Sequence, residues 1–340
     1  MKFSSFLATL LVFISLNGIA QNVHFTYVDF APQSYNPALN GAFSGTYRGS
    51  AIVRSQYGDT GGGYRTVELN IDAPIIRGFR AQDWIGVGIS FDTDKSARGL
   101  KQVASRMGLA YHFALDKKQT NIFTLGLQYI NMSSNLDKLK YNSTIENGGP
   151  DPAIEMLFQA SQSGGNPTAS QSSNNWVLGT TFTRNNKTGK FMIGGAVSGI
   201  IRGTSAIKAT QYKHPFMIQG IAQYKSFINK QVLIEPTLFM QLLPSESTEI
   251  MFNTTVGYKL KKDSDWIVKG GLGMRTGTTS VQFLAGAEKG PIRVGLSYDA
   301  PINGFSKAPG LQNAFELGVS YIGTLKKTPK PKPTIICPRL

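Results

Sequence analysis

Few residues in this 340-residue chain could do metal or nucleophilic chemistry, and they are badly spaced for it. The three histidines, His24, His112 and His214, lack metal-ligand spacing, and Cys337, the single cysteine, excludes a thiolate zinc cluster. Gly270-Gly271-Leu272-Gly273 looks superficially like a phosphate loop, but it lies inside an alternating segment, where small residues on a sheet wall explain it better. Asn131, Asn142 and Asn253 begin glycosylation sequons that carry little weight in an Asn- and Ser-rich chain of bacterial type. No Ser, His and acid set converges. The expectation is a protein without catalytic, cofactor-binding or metal-binding residues, hence not an enzyme.

The charges are more informative. Val67, Leu69 and Ile71 alternate with Glu68, Asn70 and Asp72, so the apolar and polar sets point to opposite faces of one strand. The same alternation sets Arg106 and His112 opposite Met107, Leu109 and Tyr111, Glu235 beside Pro236 and Leu238, and Lys269 beside Val268. Arg293 lies between Ile292 and Val294, and Glu316 between Phe315 and Leu317. If the apolar face meets lipid, Glu68, Asp72, Arg106, Glu235, Lys269, Arg293 and Glu316 line a lumen. Their mixed signs favour a salt-bridged, partly filled interior over a charge-selective conduit.

Such alternation needs strands, and the chain supplies them from Tyr47 onward. Candidate segments fall at roughly 47–57, 64–73, 84–92, 102–113, 121–131, 175–184, 190–202, 214–224, 231–242, 249–260, 265–276, 278–287, 290–299 and 314–324. That is about fourteen, an even number, as single-chain bacterial barrels require. Before them comes Lys2, an apolar run from Phe6 to Leu16, and small residues at Gly18 and Ala20. This reads as a signal peptide over residues 1–20, cut before Gln21. No later stretch approaches the roughly 20 apolar residues of a membrane helix. The fold class expected is all-β: a transmembrane antiparallel β-barrel in the bacterial outer membrane, contacting its lipid.

Loop lengths orient it. Even-to-odd connections such as Asn185-Asn186-Lys187-Thr188-Gly189 are turn-sized, whereas odd-to-even ones at 92–100, 203–213, 300–313 and 132–174 are long. Both barrel ends then lie on the periplasmic side. Residues 21–46 read as a periplasmic N-terminal segment, 47–324 as the barrel and 325–340 as a periplasmic tail. The 132–174 stretch, broken by Gly and Pro, reads as a long loop that either projects outward or plugs the lumen.

The formal charge of +15 would suit nucleic acid, but export argues against that partner, and much of the Lys falls in candidate turns and the tail. Tyr27, Tyr47, Tyr57, Tyr129, Tyr224, Tyr258, Tyr298, Tyr321, Trp84, Trp176 and Trp266 lie near segment ends, as interfacial aromatic girdles require. Cys337 has no partner in the chain for a disulfide.

Residues 21–27 and 35–42, with Asn36-Pro37-Ala38 as the most distinctive part, continue into Tyr47-Arg48-Gly49-Ser50-Ala51. At the other end stand residues 293–299 and 313–321, followed by Cys337-Pro338-Arg339-Leu340. With these two ends the chain resembles the PorP/SprF family of Bacteroidota outer-membrane proteins, linked to type IX secretion and gliding. The resemblance implies a barrel without enzymatic activity that helps export, retain or display a partner at the cell surface. The implied partners are a secreted adhesin or its C-terminal sorting domain, and periplasmic secretion or gliding components. Asn36, Pro37, Cys337, Pro338 and Arg339 become candidate partner-binding residues. A porin or substrate-specific channel is the alternative.

Overall fold

The computed structural model describes residues 25–56, 63–78, 80, 82–96, 99–137, 168–202, 216–244, 247–261, 265–277, 279–302 and 313–325. Fourteen antiparallel strands close into one barrel: β1 (Tyr47–Gln56), β2 (Tyr64–Arg77), β3 (Trp84–Ser96), β4 (Leu100–Ala114), β5 (Asn121–Asp137), β6 (Thr168–Asn185) and β7 (Gly189–Arg202) form the first half. The second half is β8 (Met217–Phe227), β9 (Val232–Leu243), β10 (Ser247–Lys259), β11 (Trp266–Arg275), β12 (Ser280–Lys289), β13 (Ile292–Pro301) and β14 (Ala314–Gly323). Each strand pairs with its sequence neighbours, and β1 meets β14 in register from Tyr47 opposite Gly323 to Gln56 opposite Ala314. Closure removes every sheet edge, so the ladders satisfy the backbone without water. No described helix is long and apolar enough to cross a membrane.

The alternation decides which way each side chain points. Ile71 is 66% exposed while Asp72 beside it is 2% exposed, and Leu125 and Thr124 differ in the same way. Leu69, Ile89, Met107, Leu127, Phe252, Leu272, Phe283 and Leu317 all stand on the outside. That outward face is the apolar belt a bilayer requires.

Several strand limits differ from those the pattern suggests. β2 continues through Pro74 to Arg77 by way of a bulge between Pro74 and Ile76, which puts a strand where a loop is expected. Strands β5 and β6 stay paired as far as Asp137 opposite Thr168. The expected 132–174 loop is thus partly ladder, built from Ser and Asn whose polarity hides the period. Its remainder, 138–167, lies outside the described residues, as do His24, His214 and Cys337-Pro338-Arg339. Strands β12 and β13 each sit about two residues later than the pattern gives, so their turn is Gly290-Pro291.

The connections β4–β5, β6–β7, β8–β9 and β12–β13 are turn-sized and lie at the rim expected to face the periplasm, the inner rim. Those between β3 and β4, β9 and β10, and β11 and β12 at the other rim are as short, so the 92–100 stretch expected as a long loop is largely strand. In the β4 to β5 turn, Asp116 accepts from the amides of Thr120 (2.9 Å) and Asn121 (2.7 Å), and these bonds hold its carboxyl below the usual carboxylate range.

The largest departure concerns the segment expected to lie in the periplasm. From Phe25 onward it runs inside the barrel as a 3₁₀ turn (Val28–Phe30), one α-helical turn, α1 (Pro32–Tyr35), and a second 3₁₀ turn (Pro37–Leu39). Phe25, Phe30, Tyr35 and Leu39 are buried against inward-facing Ile52, Met192, Ile221, Phe239 and Met251. A segment carrying that many apolar groups gains more from the lumen than from water. Tyr27 and Trp84, expected in the interfacial girdles, also belong to this interior.

Ile71 lies mid-strand on the outward face. Ile71→Arg should destabilise the barrel by roughly 2–4 kcal/mol, measured by urea unfolding in lipid vesicles.

Candidate functional site

The Asn36-Pro37-Ala38 motif is the hinge of the lumenal segment. The Asn36 Oδ1 accepts from the Ala38 amide at 2.9 Å, capping the second 3₁₀ turn, and Pro37 starts that turn with no N–H left to satisfy. The Asn36 Nδ2 donates outward to the carbonyls of Thr180 (3.1 Å) on β6 and Gly195 (3.0 Å) on β7. One side chain thus shapes the turn and ties it to the wall.

The wall makes room with glycine. A Cβ at Gly126 would lie 2.3 Å from the Ala38 nitrogen, and one at Gly179 would lie 2.1 Å from the Asn36 Oδ1. At Gly88 it would meet the Asn40 Oδ1 at 2.0 Å, and at Gly318 the Phe30 ring at 2.3 Å. These glycines face inward on β5, β6, β3 and β14. Their role is close approach, which no larger residue permits.

At its outer end the segment is held through Thr26, close to the outer ends of β11 to β14. The Thr26 amide donates to both oxygens of Glu316 (2.8 and 2.9 Å), and its hydroxyl donates to Asp299 (2.9 Å). Its carbonyl accepts from Asn253 (3.0 Å), and its hydroxyl oxygen accepts from Arg275 (3.2 Å) and Gln282 (3.1 Å). Arg54 pairs with Glu316 and, at 3.0 Å, with Asp299, so the carboxylates that receive Thr26 are themselves neutralised.

Lower down, Ser34 donates to Glu68 (2.7 Å), and the Gly41 amide donates to Asp72 (2.7 Å), which Arg48 also clamps. Gln33 reaches the carbonyls of Ile71 and Ile89, and Gln128 reaches back to the Gln33 carbonyl. His112 bonds the Asn40 carbonyl at 2.8 Å through Nε2 and the Thr124 hydroxyl at 2.9 Å through Nδ1. A carbonyl can only accept, so Nε2 carries the proton. Lys190, Gln223 and Ala285 add β7, β8 and β12, while β9 contributes Phe239, which meets Tyr35 edge-on at 4.9 Å. Every strand of the barrel therefore touches this segment through a hydrogen bond or a ring contact. It is a plug.

The seven charges expected in the lumen all point there, in four groups. Glu316 belongs to the Thr26 anchor, while Glu68 and Asp72 receive the middle of the plug. Glu235 and Lys269 pair with each other and share Lys225 and Glu288 as further partners, with Arg293 at 3.3 Å from Glu288. Arg106 pairs with Asp92. Asn36 and Pro37, read as partner-binding, are buried in the plug instead; Cys337, Pro338 and Arg339 lie outside the described residues. Among the described residues no cluster of His, Cys, Asp or Glu could hold a metal ion. Sequence reasoning missed Thr26, Gln33, Asn40 and the inward glycines. The available signal was glycine at inward positions near mid-strand, where a barrel without contents would carry larger side chains.

The family model of the type IX secretion system membrane protein PorP/SprF matches residues 17–321. The chain belongs to the PorP/SprF family. This PorP/SprF barrel is an outer-membrane protein. No curated protein matches its sequence. Among solved structures it is similar to the Ralstonia pickettii toluene transporter TbuX, with 10% identity, a TM-score of 0.50, and coverage of 87% of this chain and 94% of that one. The P. putida toluene transporter TodX is similar at 11% identity and a TM-score of 0.50, covering 89% and 95%. At such identity the likeness is one of fold.

Gly318→Val should push the Phe30 ring out at a cost of about 1–3 kcal/mol while leaving the barrel closed. Asn36→Ala, which removes a cap and two wall bonds, should loosen the plug by about 1–2 kcal/mol. In a Cys337→Ser background, a Val28→Cys reporter should be slow to react with maleimide in the parent and faster in both variants. Heat-modifiable gel migration should remain.

Proposed function

We propose that this PorP/SprF protein is a non-enzymatic, closed-lumen barrel of the type IX secretion and gliding system. It supports the secretion, anchoring or display of a partner surface protein, an adhesin or its C-terminal sorting domain. Its long outer loops hold that partner, and its inner rim and tail meet periplasmic secretion components.

One observation carries this reading: the plug is bonded around the whole circumference of the wall. A conduit needs groups that solutes can visit and leave. Here Glu68, Asp72, Asp299 and Glu316 are taken up by the plug and by Arg48 and Arg54. Charged pairs of this kind, removed from water, are destabilised when one partner is lost, which keeps the plug seated. A filled lumen supports work at the rims over porin function.

In planar bilayers the parent protein should show little conductance, and a variant lacking residues 25–42 should conduct. Gentle detergent extraction of outer membranes should co-isolate an adhesin or a secretion component. Steady single-channel conductance of the parent, with recovery of the barrel alone, would favour the porin.

A further inference from the structure

The plug leaves the inner mouth of the barrel unfilled. A cavity of about 560 Å³ opens there, walled by Phe43, Arg77, Trp84, Gln119, Asn185 and Lys190. Its size lies within the range of pockets that take specific ligands.

The floor is aromatic and fixed. Trp84 stacks on His112 with ring centroids 4.5 Å apart and planes 8° from parallel. The Trp84 indole N–H is committed to the Gly41 carbonyl (3.0 Å), and both His112 nitrogens are committed to Asn40 and Thr124. What remains for a ligand is an apolar ring surface.

The cations beside it differ from those elsewhere in the lumen. Arg48, Arg54, Arg106, Lys225, Lys269, Arg275 and Arg293 each face a carboxylate. Lys190 and Arg77 bond only backbone carbonyls, of Ala42 (3.3 Å) and Gly45 (2.6 Å), and among the described residues neither makes an ion pair. Asp83, the acid that lines the cavity, is already engaged by the Tyr111 hydroxyl (3.0 Å) and the Ala114 amide (2.8 Å). Those neutral donors leave the Asp83 charge in place, so Lys190 and Arg77 against Asp83 give the lining a net positive charge, with neither cation held in an ion pair.

The side-chain amides complete the chemistry. Asn185 donates to the Gln119 carbonyl and Gln119 donates to the Gln82 carbonyl, which leaves each side-chain oxygen as an acceptor. Each NH2 also keeps a second N–H, so these amides match the alternating N–H and C=O groups of a peptide backbone. We propose that the inner mouth binds an acidic peptide segment of a periplasmic protein. Its carboxylate meets Lys190 and Arg77, and an adjacent apolar side chain lies on Trp84. The chain's own tail, with Lys326, Lys327, Lys330 and Lys332, has the wrong sign for this site. The inference rests on the closed-barrel role and gives its inner rim a ligand class.

The test uses full-length protein in uncharged maltoside micelles and fluorescein-labelled hexapeptides alternating Glu with Phe. Fluorescence anisotropy should show saturable binding, about tenfold weaker for the peptide with Gln in place of Glu. Lys190→Gln and Arg77→Gln should each weaken binding by about tenfold, while Lys187→Gln, on the same rim, should not. Heat-modifiable migration checks that each variant is folded. Three results would overturn the proposal: equal binding of the acidic and amide peptides, an equal loss in Lys187→Gln, or competition by free glutamate as strong as by the peptide. None of these readouts depends on conductance or on a co-isolated adhesin, so this site and the closed-barrel role can fail separately.

Discussion

Polar groups taken out of water must find partners, and in this barrel the obligation acts twice. The backbone meets it by closure, with β1 paired to β14 and no edge exposed to lipid. The inward side chains then face the same demand in a confined space. Glu68, Asp72, Asp299 and Glu316 are nearly without solvent contact, and a bare carboxylate there would cost several kcal/mol. Asp72, Asp299 and Glu316 are met from two directions, by Arg48 and Arg54 on the wall and by amides and hydroxyls of the plug, and Glu68 is met by the Ser34 hydroxyl of the plug.

That double supply explains why the plug has so little regular structure. A long helix would satisfy its own amides and offer the wall only side chains. Three single turns, interrupted at Ala31 and Asn36, leave the amides of Thr26 and Gly41 free to bond carboxylates, and the carbonyls of Phe30, Leu39 and Asn40 free to accept from Asn70, Arg48 and His112. Pro32 and Pro37 enforce the breaks. The irregularity is what lets one short segment serve fourteen neighbours.

Under the proposed role, a filled lumen leaves the ends of the barrel for contact with partners. The interior has one arrangement, fixed by paired charges and by glycines that admit plug atoms to the wall. The inner mouth departs from this economy, since Lys190 and Arg77 lean only on carbonyls. The likeness to toluene transporters is of architecture, and the two lumens need not share contents. In a protein of the type IX secretion system, rims and loops are where partners can be met without disturbing a closed interior.

The barrel, its even strand number and the inward face of the seven lumenal charges were legible in the residue pattern, because a period of two has one consequence for a strand between lipid and lumen. Glu68, Arg106 and Glu316 could be assigned inward from their immediate neighbours alone. The pattern did not disclose what those charges meet. Residues 25–42 have no period, and Asn36 bonds Thr180 and Gly195 across well over a hundred residues of chain, a proximity that exists only after closure. The same limit hid Trp84, whose position near a strand end looks interfacial until Gly41 is seen beneath it. Local alternation decides which side of the wall a residue occupies; only the closed fold decides which distant residue it meets there.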